Sequence, residues 1–120
     1  MKKKTIVIGG SIKPERYSNK AIKKLLNYGH PVDSIGLREA KVDSVNIQIG
    51  KPTITDIHTV TMYIGAKKQP KYYDYILSLS PSRIIFNPGT ENNEFASLAE
   101  KEGIEVTKNC TLVMLDYGLF

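Results

Sequence analysis

Short apolar runs alternate along the chain with segments whose apolar residues recur at helical spacing. The β-branched run at residues 5–9 is uninterrupted, which predicts a strand buried on both faces. Ala21, Ile22 and Leu25 then recur on one face of a predicted helix, which ends at Gly29. Further strands are predicted at residues 31–35, within 42–56, at 58–64, at 83–86 and at 104–107.

Two more helices complete the pattern. The first is predicted to open after Gly65 with Pro70 in its first turn, and apolar side chains follow Tyr72 at i+3, i+4 and i+7. The second is predicted to begin with Thr90 as its cap and to end at Gly103. Strands and helices therefore alternate along most of the chain.

This alternation predicts an α/β fold: a Rossmann-type doubly wound parallel sheet of five or six strands, with helices on both faces. The sequence contains no linker or internal repeat, so residues 1–120 are predicted to form a single domain. In such sheets ligands bind at the carboxyl ends of the strands, where the strand order reverses. The loops expected to carry function therefore follow Ile8, Ile35, Ile64 and Phe86.

The loop after the first strand has the composition of a phosphate-binding loop. Gly9-Gly10-Ser11 follows the strand, Lys13 and Arg16 come next, and Ser18 is placed to cap the helix. Glycines let backbone N–H groups approach an anion, and a helix N-terminus contributes about half a positive charge. The pattern predicts that this loop binds the phosphates of a nucleotide.

The charge balance also favours an anionic ligand, because 17 basic and 12 acidic residues give a formal net charge of +5. The chain has no zinc-ligand spacing, basic helix or RNA-binding signature, so nucleic acid is not a predicted partner.

The single cysteine, Cys110, predicts a reducing compartment. No apolar stretch reaches the roughly 18 residues of a membrane span. We therefore predict a cytoplasmic protein that has no membrane partner.

Arg38 narrows the choice of nucleotide. A dinucleotide fingerprint has a third glycine, and an acidic residue at the end of the second strand binds the ribose diol of NAD. Here the third glycine is missing, Asp33 lies inside the predicted strand, and the sequence continues as Ile35-Gly36-Leu37-Arg38. An arginine in this place suits a ribose phosphate. The ligand is then either NADP, with a 2′-phosphate, or coenzyme A (CoA), with a 3′-phosphate.

The motifs of the chain resemble those of the small stand-alone CoA-binding proteins, whose fold is similar to the CoA-binding domain of the succinyl-CoA synthetase α subunit. The matching positions cover nearly the whole chain: Gly9-Gly10-Ser11, Lys13-Pro14, Arg16, Ser18, Asn87-Pro88-Gly89-Thr90, Asn92-Asn93-Glu94, Leu98-Ala99, Gly103 and Cys110. One departure follows the second strand. The family usually has a valine-asparagine-proline turn there, and this chain has Ile35-Gly36-Leu37.

This resemblance implies a CoA or acyl-CoA ligand and a role for each matching residue. The pyrophosphate is implied to lie against Gly9, Gly10, Ser11, Lys13, Arg16 and Ser18. The ribose phosphate is implied to lie beside Arg38. The adenine and pantetheine path is implied to pass Gly65, Asn87, Pro88 and Gly89.

These residues offer no catalytic constellation. Ser11 lacks the glycine spacing of a nucleophile elbow, and Cys110 is predicted to be a small buried hydrophobe. His30 and His58 have no partner at a metal-ligand spacing. We therefore predict a CoA-binding protein that needs no metal and has no visible enzymatic machinery. An NADP-dependent oxidoreductase or redox sensor, or a subunit of a larger acyl-CoA enzyme, stays open as an alternative.

The last segment, residues 112–120, is too apolar for a free terminus. Exposed apolar patches and bare strand edges are usually covered in native proteins. The segment is therefore predicted to cover a sheet edge or a second subunit, which leaves a homodimer open.

Overall fold

The computed structural model describes residues 2–120, and in that part of the chain one seven-stranded sheet is combined with four α-helices. The strands are β1 Thr5–Ile8, β2 Val32–Ile35, β3 Ala40–Val42, β4 Val45–Gln48, β5 Thr59–Met62, β6 Arg83–Phe86 and β7 Glu105–Lys108. The helices are α1 Tyr17–Asn27, α2 Tyr73–Ser78, α3 Asn93–Lys101 and α4 Thr111–Asp116. Two short 3-10 turns, Ala66–Lys68 and Pro70–Tyr72, precede α2.

The sheet is ordered β3-β4-β2-β1-β5-β6-β7. Every neighbouring pair is parallel except β3 and β4. Without β3, the six parallel strands have the spatial order of a dinucleotide-binding sheet, in which the chain moves first to one side of β1 and then to the other. Thr5 of β1 consequently aligns with Val32 on one side and with Thr59 on the other. The point of reversal lies between β1 and β5.

The sheet has seven strands, one or two more than the expected five or six. β3 pairs antiparallel with β4 in a tight hairpin whose turn places Asp43 at a φ of 52°. No strand was predicted over residues 36–41, where the charged Lys41 stands between Ala40 and Val42. In the structure only Val42 of this strand is buried. A three-residue edge strand with one buried side chain has too little apolar periodicity to predict a strand.

The core is divided into two clusters by the alternation of side chains along the strands. Ile6 and Ile8 of β1 belong to one cluster, and Val7 belongs to the other. The first cluster includes Ile76 of α2 and the buried side chains of α3. The second includes Ile22 and Leu25 of α1 together with Met114 and Leu115 of α4. Helices α2 and α3 thus belong to the first cluster, and helices α1 and α4 belong to the second.

Two predicted helix caps are wrong. Ser18 is the second residue of α1, whose cap position is occupied by Arg16 without a capping side chain. α3 is capped by Asn92, whose side-chain oxygen accepts a hydrogen bond from Phe95 N at 3.0 Å, and not by Thr90. The Thr90 hydroxyl instead donates to Asn87 O at 2.7 Å, inside the loop that precedes the helix.

The apolar tail packs on a face of the sheet and not along an edge. Met114 and Leu115 are buried in the second cluster beside Val7 and Ile85. Phe120 is 9% exposed, with its ring centroid 4.3 Å from the Arg83 guanidinium carbon. Within residues 2–120, no helix is long and apolar enough to cross a membrane.

Candidate functional site

A cleft of about 930 Å³ opens at the carboxyl ends of β1, β2, β5 and β6. It lies over the point where the strand order reverses, which is where sheets of this topology bind ligands. Of the residues predicted to bind the ligand, those lining the cleft are Gly9, Gly10, Ser11, Lys13, Arg16, Ser18, Arg38, Gly65, Pro88 and Gly89. The structure therefore brings these residues to one cavity, and only Asn87 of the predicted set is absent from its lining.

The two glycines of the first loop use their N–H groups within the protein, whereas the prediction had them approach an anion. Gly9 N and Gly10 N both donate to Ile35 O, at 2.7 and 2.9 Å, at the end of β2. Their N–H groups are thus already used within the protein. An anion in the cleft has to take its backbone donors from later in the loop or from the start of α1.

Glycine is required at these positions because neighbouring segments approach closely. A Cβ on Gly10 would lie 2.1 Å from Ser34 Oγ, and Gly9 has a φ of 97° with Tyr63 O only 3.0 Å from its Cβ position. A Cβ on Gly36 would lie 2.4 Å from Gly10 O. The turn after β2 and the first loop are therefore packed backbone to backbone, which leaves no room for a side chain at Gly36.

The N-terminus of α1 faces the cleft without a side-chain cap. Within residues 2–120 no side chain accepts from its first N–H groups, and its first turn contains no acidic residue. Lys20 N donates back to Arg16 O at 3.2 Å, so the helical bonds begin only there. Tyr17 and Ser18 line the cleft at this helix end. An uncapped helix start with free N–H groups favours an anion.

Asn19 holds the loop in place and was missed by the sequence analysis. It is 2% exposed, and its Nδ2 donates to Ser11 O at 2.9 Å. Within the loop, Lys13 N donates to Ser11 Oγ at 3.1 Å, and Arg16 N donates to Lys13 O at 3.1 Å. The sequence did contain a signal for this role. Asn19 lies three residues before the buried Ile22 on the same predicted helix, and an amide buried there needs a hydrogen-bond partner.

The cleft is strongly basic. Its lining contains Lys13, Arg16, Arg38, Lys67 and Lys68, and Glu39 is its acidic member. Lys67 and Lys68 were missed because the sequence predicted a helix after Gly65, whereas the structure places them in the first 3-10 turn. The basic side chains thus come from three different loops, after β1, β2 and β5. This arrangement suits a ligand with several separated phosphates.

Asn87 lies beneath the cleft and joins the elements around it. Its Nδ2 donates to Thr61 Oγ1 and Met62 O, at 2.7 and 2.8 Å, and its Oδ1 accepts from Thr111 N at 2.9 Å. With 2% exposure the side chain has no access to a ligand. Its contacts fix the start of α4 and the loop that contributes Pro88 and Gly89 to the cleft.

Tyr63 follows β5, and Cys110 directly precedes α4. Tyr63 lines the cleft, and burial raises the pKa of its phenol, whose oxygen has no hydrogen-bond partner within residues 2–120. Cys110 is half-buried before α4 and does not line the cleft. In this part of the chain no three His, Cys, Asp or Glu side chains are grouped so that they could hold a metal ion.

A family described as the CoA binding domain matches residues 3–116. The chain belongs to the CoA-binding domain family. A crystal structure of an uncharacterized protein is 41% identical, superposes with a TM-score of 0.97, and is matched over 100% of this chain and 99% of its own. No curated protein matches the chain.

More distant members of the fold agree with this topology. A hypothetical protein from Pyrococcus horikoshii OT3 is 24% identical with a TM-score of 0.83, covering 98% of this chain and 84% of its own. A protein from Thermus thermophilus is 18% identical with a TM-score of 0.82, covering 98% and 91%. At these identities the likeness concerns the fold alone.

Proposed function

We propose that residues 1–120 act as one CoA-binding domain and that CoA or an acyl-CoA lies in the basic cleft. The observation that supports this most is the position of the cleft: a member of the CoA-binding domain family has its large basic cavity at the reversal point of the sheet. The role is binding, since the cleft presents charge and backbone donors and no paired nucleophile and base.

The pyrophosphate is proposed to lie at the start of α1. The uncapped N–H groups of the first helical turn supply donors there, and Lys13 and Arg16 supply full positive charges. The Ser11 hydroxyl accepts from Lys13 N and can still donate its own hydrogen to a phosphate oxygen. Gly9 and Gly10 contribute by allowing the loop to pack closely, because their N–H groups are bound to Ile35 O.

The two halves of CoA are proposed to extend to opposite sides of this pyrophosphate. Arg38 follows β2, on the side where Rossmann-type sheets bind a ribose, and is proposed to bind the 3′-phosphate. The pantetheine arm then passes Gly65 and the Pro88–Gly89 turn, which follow β5 and β6. Asn87 is proposed to support this turn from below.

CoA is expected to bind with an affinity that falls as salt concentration rises, because its phosphates meet a cleft of five basic side chains. Calorimetric titration at low and high ionic strength measures this.

Arg16→Ala is expected to weaken binding by about 10- to 150-fold, which corresponds to about 1.5–3 kcal/mol for a hydrogen bond to a charged group.

Lys101→Ala is the matched control for this titration, because Lys101 is exposed at the far end of α3 and should leave the affinity unchanged. Binding of NADPH without binding of CoA would reject the proposal in favour of the oxidoreductase alternative.

Dephospho-CoA is expected to bind less tightly than CoA by about 1.5–3 kcal/mol if Arg38 contacts the 3′-phosphate. This difference should vanish in Arg38→Ala, which makes the comparison a double-mutant cycle with the phosphate as one of the two changes. Lys41→Ala is the control, since Lys41 lies two residues into the hairpin and outside the cleft lining. Equal affinities of the unmutated protein for both ligands would remove Arg38 from this role.

A further inference from the structure

Gln69 is a fully buried amide whose hydrogen bonds join two loops of the cleft. It lies between the two 3-10 turns, with 0% of its surface exposed. Its Nε2 donates to Ile64 O at 3.0 Å and to Thr90 O at 2.8 Å. Its Oε1 accepts from Asn92 Nδ2 at 2.9 Å. Both donors and the acceptor oxygen of the side chain are therefore in use.

These bonds connect the loop after β5 with the loop after β6. The parallel ladder between the two strands ends at the pair Met62 and Phe86. Beyond that point no backbone hydrogen bond joins the two loops within residues 2–120. The Gln69 side chain continues the connection where the ladder stops. Both loops contribute to the lining of the cleft, through Gly65–Lys68 and Pro88–Thr90.

The link is anchored in α3 by Asn92. Asn92 Oδ1 accepts from Phe95 N at 3.0 Å as the helix cap, and Asn92 Nδ2 also donates to Tyr73 Oη at 2.8 Å. Burying an amide without partners costs free energy, and an apolar side chain of equal size would fill the same space without that cost. The polar identity of Gln69 is explained by the two loops it holds together and not by packing.

We infer that Gln69 is a positioning residue that holds these two loops in a fixed arrangement and so pre-shapes the part of the cleft that receives the pantetheine arm. This inference rests on the proposed CoA function. A pre-shaped cleft binds its ligand more tightly because less ordering is left to occur on binding. The contribution of Gln69 should therefore appear only with ligands that carry the pantetheine arm.

The test compares CoA with adenosine 3′,5′-bisphosphate, which lacks that arm, in the unmutated protein and in Gln69→Met. Methionine keeps the length and apolar stem of the side chain but removes the amide. We expect CoA affinity to fall about 5- to 10-fold, which corresponds to about 1–1.4 kcal/mol of lost hydrogen bonding, while affinity for the bisphosphate stays unchanged. Ile104→Val, a buried change in the same cluster away from the cleft, controls for destabilisation alone.

Hydrogen exchange of the ligand-free protein gives a second reading that does not depend on CoA. Amides in residues 64–69 and 88–92 should exchange faster in Gln69→Met, while those of α1 stay unchanged. Equal losses of affinity for both ligands, or unchanged exchange in both loops, would overturn the inference. Failure of the unmutated protein to bind CoA would reject the proposed function, and the exchange measurement would still decide whether Gln69 couples the loops.

Discussion

Gly36→Ala is expected to remove measurable CoA binding while the protein still folds with reduced stability. The added Cβ would lie 2.4 Å from Gly10 O and 2.9 Å from Ile47 Cγ2. Since the nearest atom belongs to the backbone, no change of side-chain rotamer relieves the contact. Overpacking of this kind costs about 1–3 kcal/mol. The first loop has to move, and the proposed pyrophosphate site moves with it because Gly10 N is bound to Ile35 O.

Calorimetric titration with CoA and thermal unfolding together check this expectation. Gly50→Ala is the control, since Gly50 also lies outside regular structure and has a φ of 78° but no atom within 4 Å of its Cβ position. It should lower stability through backbone strain and leave CoA affinity unchanged. A Gly36→Ala protein that binds CoA as well as the unmutated chain would show that the two loops do not move together.

Phe95→Ala is expected to lower the free energy of unfolding by about 3–5 kcal/mol, a large part of the 5–15 kcal/mol of an ordinary domain. The Phe95 ring is fully buried, stacks on Tyr73 with a centroid distance of 4.3 Å, and meets Phe86 edge-on at 6.0 Å. Truncation removes the contacts by which α3 is held against β6 and α2. Chemical denaturation measures the loss.

Phe95→Leu provides the matched comparison because leucine keeps much of the buried volume without the aromatic stacking. It should cost clearly less than alanine. A loss below about 1 kcal/mol in Phe95→Ala would contradict the central place of this ring in the first cluster.

The predictable parts of the fold are those where the spacing of apolar residues agrees with the glycines and prolines that end an element. β1 is a β-branched run, β6 is such a run with Arg83 before it and Phe86 at its end, and both strands are buried at every position. α1 ends where Gly29 adopts a φ of 83°, as the glycine indicates. The segment after Gly65 was harder, because its helical spacing belongs to two 3-10 turns and the short α2. Pro70 begins the second of these turns, and the buried Gln69 precedes it.

The candidate site was predictable in its position but not in its hydrogen bonding. Strand alternation predicts which loops meet at one edge of the sheet, and Lys13, Arg16 and Arg38 indeed line one cleft. The sequence could not reveal that Gly9 and Gly10 donate to Ile35 O, because that pairing depends on the twist and spacing of β1 and β2. Gln69 was missed for a similar reason, since its two loop partners are backbone carbonyls, of Ile64 and Thr90, and residue types do not show which carbonyls an amide will meet.

The two outermost strands bear on how copies of this protein behave when they are concentrated together. Lys41 on β3 is exposed, and so are Glu105 and Lys108 at the two ends of β7. Charged side chains on edge strands oppose the addition of a strand from another molecule, which is the first step of intermolecular sheet growth and aggregation. Self-association through continued sheets is therefore disfavoured at both ends. Exposed apolar side chains lie away from these edges, among them Val113 on α4 and Tyr117 and Leu119 in the segment that follows it.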